Sequence, residues 1–435
     1  MNDEYDILII GAGAAGLMAA IAAGNRGAKV LLIDGATKIG AKILVSGGTR
    51  CNVTNEFVHP SRFHTESDPH DDEIGAKNSR GGDAAKSFVG RVLRAFSTEA
   101  THRFFDSIGV PLKLEETGKY FPVSDSSRQV LNALLQALGD AGVELKTGQR
   151  AVKIARGEAC WRVETEQSTF TCRALILCCG GKALPKSGSD GAGYGLAMQF
   201  GHTLIRTTPA LSPLLSHPTT HAHLSGITLP VQLQLKTPQS TLEAREGSFL
   251  FTHLGYSGPV ALNISRHVAR RRWDNPDATV SARWLPEIEA PDEGRWWQEW
   301  VRDNAKKTFA NALRARFPER LANTLAQNLD SMTIGRFGPT QQKQARQKLF
   351  DDPLPVSEID GYTKAEATAG GISLREIEPA TMMSKKIEGL FFAGEICDVD
   401  GWLGGYNFQW AWSSGTVAGR AAAKYAMMKA PIELR

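Results

Sequence analysis

The first apolar run, Asp6-Ile7-Leu8-Ile9-Ile10, is short and continuous, the pattern of a strand buried on both faces in a parallel sheet. Residues 11–16 interrupt it as a Gly-rich turn, 17–27 read as an Ala-rich helix, and 29–33 as a second strand ending at Asp34. Periodicity disappears over 65–86, which is polar and charged and reads as a long surface loop. Helical spacing returns at 87–108 and 126–141, and strands are predicted at 143–154, 161–166 and 174–179.

Near residue 207 the pattern changes to proline-punctuated alternation, which predicts an antiparallel β module to about 285. Residues 293–350 are helical in pattern. From about 357 the Gly-rich style of the first part returns and runs into a C-terminal helix. The expectation is an α/β protein: a discontinuous dinucleotide domain, 1–205 plus 355–435, interrupted by a β module at 206–285 and a helical module at 286–354.

Length and composition agree with this. A chain of 435 residues, 42% hydrophobic, 22% charged and with 43 Gly, is a multidomain globular protein rather than a disordered chain or a coiled coil. No apolar run approaches the roughly 20 residues that span a bilayer, and Met1 to Asp6 lacks the basic stretch of a secretory signal, so the expected compartment is the cytoplasm, with no membrane partner. The six cysteines (51, 160, 172, 178, 179 and 397) show no metal-binding spacing, so no metal is expected, and they read as reduced thiols. Net charge is only +4, but 266–348 holds 16 Lys/Arg against 10 Asp/Glu, an excess of 6. That local bias makes an RNA backbone a candidate partner.

Gly11-Ala12-Gly13-Ala14-Ala15-Gly16 is GxGxxG in full context, after a strand, opening a helix, and followed by Asp34 at the end of the next strand. The first glycine permits the tight turn and the second lets backbone approach a pyrophosphate. The third lets helix pack on strand, and the acid accepts from ribose hydroxyls. A second Gly-containing loop at 42–52, a strand ending in Gly394-Glu395, and Gly404-Gly405-Tyr406-Asn407-Phe408-Gln409 opening a helix favour FAD over a nicotinamide as the resident, non-covalent cofactor. Gly191-Ala-Gly193-Tyr-Gly195 follows a turn rather than a strand, so a second dinucleotide site is rejected and NAD(P)H is expected only as a transient reductant.

Cys51 has no partner five residues on, where Glu56 stands, which disfavours dithiol chemistry. Acting alone, it is a candidate proton donor with Arg50 lowering its pKa. His253 and Tyr256, in His253-Leu-Gly-Tyr256-Ser-Gly-Pro, are candidate acid–base or substrate-holding groups. The order of Ser257 and His253 gives no hydrolase triad, and the tryptophan spacing at 296, 297 and 300 is that of a helical core.

Together the motifs resemble the BaiN/RdsA family of FAD-dependent oxidoreductases along essentially the whole chain: IIGAGAAGL at 9–17, SGGTRCNVTN at 46–55, GGKALPKSGSDGAGY at 180–194, THLGYSGP at 252–259, TAGGISLREI at 368–377 and FAGEICDVDGWLGGYNFQWAWSSG at 392–415. Two departures are Thr49, where the family usually has a third small residue, and the enlarged 65–86 loop. The resemblance implies that Gly11, Gly13, Gly16 and Asp34 bind the ADP half, and that Lys42, Ser46, Gly47, Gly48, Arg50 and Asn52 lie along the pyrophosphate and flavin. Gly180, Gly181, Gly394, Glu395, Gly405, Asn407 and Gln409 would close the site, with Ala15, Cys51, Val152, Gly404 and Tyr406 completing it.

The family is linked to dihydrouridine synthesis in 23S rRNA, bile-acid metabolism and amine oxidation. The first expectation is therefore an NAD(P)H-driven reductase acting on an electron-poor C=C, with uridine in rRNA as its specific form. The alternatives are an O2-dependent amine oxidase and a non-catalytic RNA-binding flavoprotein.

Overall fold

A parallel sheet organises the first of two compact units, Met1–Thr208 together with Glu366–Arg435. The computed structural model describes residues 4–65, 80–158 and 160–428. Strand β1 (Glu4–Ile10) leads through the glycine turn into helix α1 (Ala14–Gly24), strand β2 (Val30–Ile33) and helix α2 (Ala41–Thr49). β1 lies between β2 and the Thr169–Leu177 strand, with Ile7 opposite both Val30 and Ala174. The Leu390–Phe392 strand and the Glu144–Lys146 strand extend the parallel set on either side.

The four residues of β2 and Ile7 to Ile9 are buried, as a sheet covered on both faces demands. Each such aliphatic side chain contributes about 1.5–3 kcal/mol relative to exposure. The last helix, Tyr406–Met428, packs on α1 through small residues: a Cβ on Gly415 would meet the Ala15 carbonyl oxygen, and one on Gly419 that of Ala19. The two helices approach so closely because neither position carries a side chain.

The second unit, Pro209–Ala365, is continuous in sequence. Its seven-stranded antiparallel sheet runs in the order Asp352–Leu354, Thr279–Arg283, Thr228–Lys236, Thr241–Phe251, Gly255–Ser257, Leu214–Leu215, Glu358–Ile359. The segments read separately as β and helical modules share one core here, in which Phe249 and Phe251 of the sheet, and Trp284 just past its Thr279–Arg283 strand, join Trp297, Phe309 and Phe337 of the helical part. Two strands that follow the helices, beyond residue 350, complete the sheet, which is why this unit runs on past 355.

Several expected elements differ. The single helix over 87–108 is two, Arg80–Ala95 and Thr98–Ser107, because Ser97 starts a new one by accepting the Ala100 N–H. Most of the expected 65–86 loop, residues 66–79, lies outside the described residues, while its end from Arg80 is helical. The β module also contains a helix, Pro259–Asp274, which buries Val260, Ala261, Ile264 and Val268 at helical spacing. The 126–141 helix is Ser127–Asp140, with Ser126 capping the Gln129 N–H.

Candidate functional site

The end of β1 builds a cradle that side chains would fill. Gly11 sits at φ +105°, and a Cβ there would meet the Cys178 carbonyl, whereas one on Gly16 would strike the Gly11 oxygen. Gly13 has open space where its side chain would be. It caps α1 without a side-chain hydrogen bond, leaving the first-turn N–H groups to an anionic ligand. Asp34 is pinned beside them: one carboxylate oxygen accepts the Ala12 N–H and the other the Ala36 N–H, both at 2.7 Å. An open glycine cradle, an uncapped helix N-terminus and an oriented acid together fit a dinucleotide pyrophosphate and its ribose.

Beside this turn, where Gly394 abuts Ala15, a polar network gathers residues from four parts of the chain. The Lys42 ammonium pairs with Glu395 and donates to the Ser189 hydroxyl at 3.1 Å. Glu395 accepts the Thr368 N–H at 2.7 Å and the Gly181 N–H at 3.4 Å. The Thr368 hydroxyl accepts the N–H groups of Lys182 and Ala183. A Cβ on Gly181 would collide with that hydroxyl, so the Gly180-Gly181 turn needs its glycines. Thr368 and Ser189 were not singled out from sequence. Both lie inside the quoted motifs, but neither carries a local pattern that marks it as chemical.

The 46–52 loop is an unusual piece of backbone. α2 kinks at Ser46, and Gly47, Gly48, Thr49 and Cys51 all adopt positive φ between 55° and 70°. For Thr49, a β-branched residue, that region costs about 1–2 kcal/mol. The preference for a small residue there thus has a steric cause. Gly47, Gly48 and Thr49 are exposed, so the loop presents backbone to solvent. Arg50 is held by Glu115 at 2.6 Å and Asp125 at 3.4 Å, with its guanidinium 3.9 Å above the Phe121 ring.

A sequence profile of the HI0933-like protein Rossmann domain matches residues 5–421 of the chain. A 3-dehydro-bile acid delta(4,6)-reductase of Clostridium scindens is 32% identical over 96% of this chain and 98% of its own. A ribosomal RNA dihydrouridine synthase of Escherichia coli K12 is 31% identical over 95% and 96%. The chain belongs to the HI0933-like family. It is an FAD-dependent oxidoreductase, as the resemblance of its motifs implied. Among solved structures, a variant of E. coli quinol fumarate reductase FrdA aligns with 98% of this chain and 71% of its own, at 17% identity and a TM-score of 0.49.

Within this HI0933-like chain, several residues expected to touch cofactor or substrate are engaged by protein instead. Gln409 is fully buried: its carbonyl accepts from the Thr54 and Thr101 hydroxyls, and its amide donates to the Phe96 carbonyl and Ser413. No hydrogen-bonding capacity is left for a flavin. Asn407 closes both ways on the Gly401 backbone. The Tyr406 hydroxyl donates to Asn55, whose amide holds the Gly404 carbonyl, and the Asn52 carboxamide accepts the Gly405 N–H at 3.0 Å. These side chains fix the Gly404-Gly405 turn, so any contact the turn makes with cofactor comes from backbone. Val152 exposes about half of its surface on the Ala151–Arg156 strand.

The three candidate acid–base groups of the HI0933-like chain part company. Cys51 is 0% exposed, and burial pushes its thiol up to about 12; Arg50, committed to Glu115 and Asp125, does not lower it. Enclosed by protein, that thiol has no route to a substrate. Tyr256 lies in the core of the second unit, its hydroxyl 2.8 Å from His221 Nδ1, and burial raises its pKa. His253, in the same unit, is exposed. Among the described residues no cluster of His, Cys, Asp and Glu could hold a metal, and no helix is long and apolar enough to cross a membrane.

Proposed function

We propose that the protein is an NAD(P)H-driven flavin reductase that adds hydride to an electron-poor C=C bond, with uridine of 23S ribosomal RNA as its substrate. One observation carries the reading: two relatives matched over nearly their full lengths are named for a dihydrouridine and for a steroid delta(4,6)-reductase. A reduced uracil ring and a reduced bile-acid diene both require a hydride to add to one alkene carbon and a proton, from solvent or an acid, to add to the other. The basic excess of 266–348 favours the polyanionic substrate of the two.

The residues of the first unit fit the cofactor this chemistry needs. The first turn of α1 would hold the pyrophosphate and Asp34 a ribose, while Lys42 and Glu395 stand ready for the hydroxylated chain between phosphate and ring. When bound, FAD would supply the transfer of hydride from NAD(P)H to the substrate. Positioning is then the protein's main task, since holding the reacting atoms at contact distance supplies several kcal/mol of the barrier reduction. NAD(P)H visits without a cradle of its own: Gly191 opens a helix of only seven residues, Ala192–Met198, that follows a turn.

The test is direct. Protein-free rRNA from a strain lacking this gene is incubated with the FAD-loaded protein and NADPH, then digested and examined by mass spectrometry. The expected result is a uridine carrying two added hydrogens, with anaerobic bleaching of the flavin by NADPH. A flavin that stays oxidised with NADPH and NADH, but yields peroxide with amines, would replace the reductase with an oxidase.

A further inference from the structure

The charge excess of 266–348 does not spread evenly over the surface of the second unit. Most of its cations are already engaged. Arg283, Arg295, Arg314, Arg316 and Lys348 each pair with a carboxylate. Arg272 donates to the Val356 and Ser357 carbonyls, and Arg266 and Arg270 are buried. A paired or buried arginine gives little to a polyanion, because its positive field is cancelled or enclosed.

A few differ: Lys343 is exposed with no acid beside it among the described residues, and so are three cations that stand together. Lys306, Lys307 and Arg336 are all exposed, and among the described residues none has an acidic side chain within ion-pair distance. The Lys307 ammonium touches only a neutral group, the Asn304 carboxamide, at 3.0 Å. The fold brings the three together. The segment around Lys306 runs against the segment around Arg336: Ile334 N–H donates to the Lys307 carbonyl and Gly335 N–H to the Ala305 carbonyl, both at 2.9 Å, and Thr308 bridges Thr333. A Cβ on Gly335 would stand 2.9 Å from the Ala305 oxygen, so glycine permits the close approach. The neighbouring Arg302 and Asp303 pair with each other at 3.3 Å and so cancel in the local sum.

We infer that Lys306, Lys307 and Arg336 form the phosphate-contacting patch through which the second unit engages the RNA backbone. This rests on the rRNA reading above and assigns it a place. Arg266, Arg270 and Arg272 of the Pro259–Asp274 helix, buried or bonded to backbone carbonyls, are not the contact. Phosphate contacts of this kind add affinity without sequence selection and release counterions, so each leaves a signature in the salt dependence of binding.

The experiment measures binding of protein-free 23S rRNA to the FAD-loaded enzyme across a range of KCl concentrations. The enzyme is compared with Lys306→Gln/Lys307→Gln/Arg336→Gln and with a control, Arg295→Gln/Arg316→Gln, whose arginines are paired. The triple variant is expected to lower the slope of log K against log salt by about 2–3 and to weaken binding at least about tenfold at 100 mM salt, with the control within about twofold of the parent. In turnover it raises KM for rRNA and leaves kcat at saturation unchanged. Flavin content and melting temperature, unchanged in both variants, verify folding. A triple variant with the parent's slope and affinity overturns this assignment while leaving rRNA as substrate. A parent enzyme that does not bind rRNA in a salt-dependent way overturns both.

Discussion

Lys42 and Glu395 are 353 positions apart in the chain, yet the ammonium of one closes on the carboxylate of the other beside the Ser189 hydroxyl and the Thr368 N–H. Neither is deeply buried, at 27% and 20% side-chain exposure, so the pair is reachable by ligand. Removing one member leaves the other charge half-desolvated, at a cost of about 1–3 kcal/mol. Glu395→Gln and Lys42→Met are therefore each expected to weaken FAD binding by about 10–100-fold, read by titrating the apoprotein with FAD. Parent-like affinity in both variants would remove the pair from the cofactor site.

The contact of α1 with the last helix admits a second test. An alanine at an exposed helical glycine gains about 1 kcal/mol from propensity. At Gly415 and Gly419 the new methyl would press on the carbonyl oxygens of Ala15 and Ala19, which are backbone and cannot rotate aside. Overpacking of this kind costs about 1–3 kcal/mol and wins over propensity. Gly419→Ala should lower the urea midpoint, and Gly415→Ala should also weaken FAD binding, because Ala15 belongs to the first turn of α1.

Thr49 offers the opposite sign. At φ +70° its β-branched side chain opposes the backbone, so Thr49→Gly is expected to raise stability by about 1 kcal/mol. Gly48, at φ +67° with open space around it, should lose about as much on replacement by alanine. Urea unfolding of the two variants decides whether the loop is strained.

The fold was legible where one local signal sufficed. The apolar run of β1, the glycine turn and Asp34 announce the dinucleotide unit without tertiary help, and Ser126 marks its helix to within a residue. The Pro259–Asp274 helix was not legible, because it stands between strands and opens on a Gly-Pro pair that also reads as a turn. The site divides the same way. Gln409 resembles a ligand contact in sequence, but Thr54, Thr101 and Phe96, each more than 300 positions away, have already satisfied it. No local pattern carries that information.

Acid should destabilise the first unit in two windows. His202 is enclosed between Glu376 at 3.1 Å and the Ser384 hydroxyl at 2.9 Å, and burial holds its pKa below the ordinary 6.5. The unfolded chain binds a proton there before the folded one does, so stability present above about pH 6.5 is lost as pH falls below it. Glu376, held down to about 2 by Lys386 and Thr203 despite its burial, contributes stability above its ordinary 4.5 that is lost as pH falls towards 2. His202→Gln should flatten the first window and spare the second, as followed by thermal melting against pH.

Cys51→Ala separates packing from chemistry. A proton donor removed from a reductase costs about 100–10,000-fold in rate. An enclosed thiol removed from a packed site costs stability alone. Turnover within about threefold of the parent is the expected outcome, with a lower melting temperature; a collapse in kcat at full flavin occupancy would return Cys51 to the reaction.

The chain order has a consequence for biosynthesis. The cofactor unit is made of the first 208 residues and the last 70, whereas the second unit is one uninterrupted stretch, Pro209–Ala365. On the ribosome, the inserted stretch emerges before the helix that α1 packs on, so α1 waits for a partner made long after it. The glycine turn of α1 thus gains its packing partner only after the inserted stretch has been made, and a chain stopped before Tyr406 would lack the helix that α1 packs on.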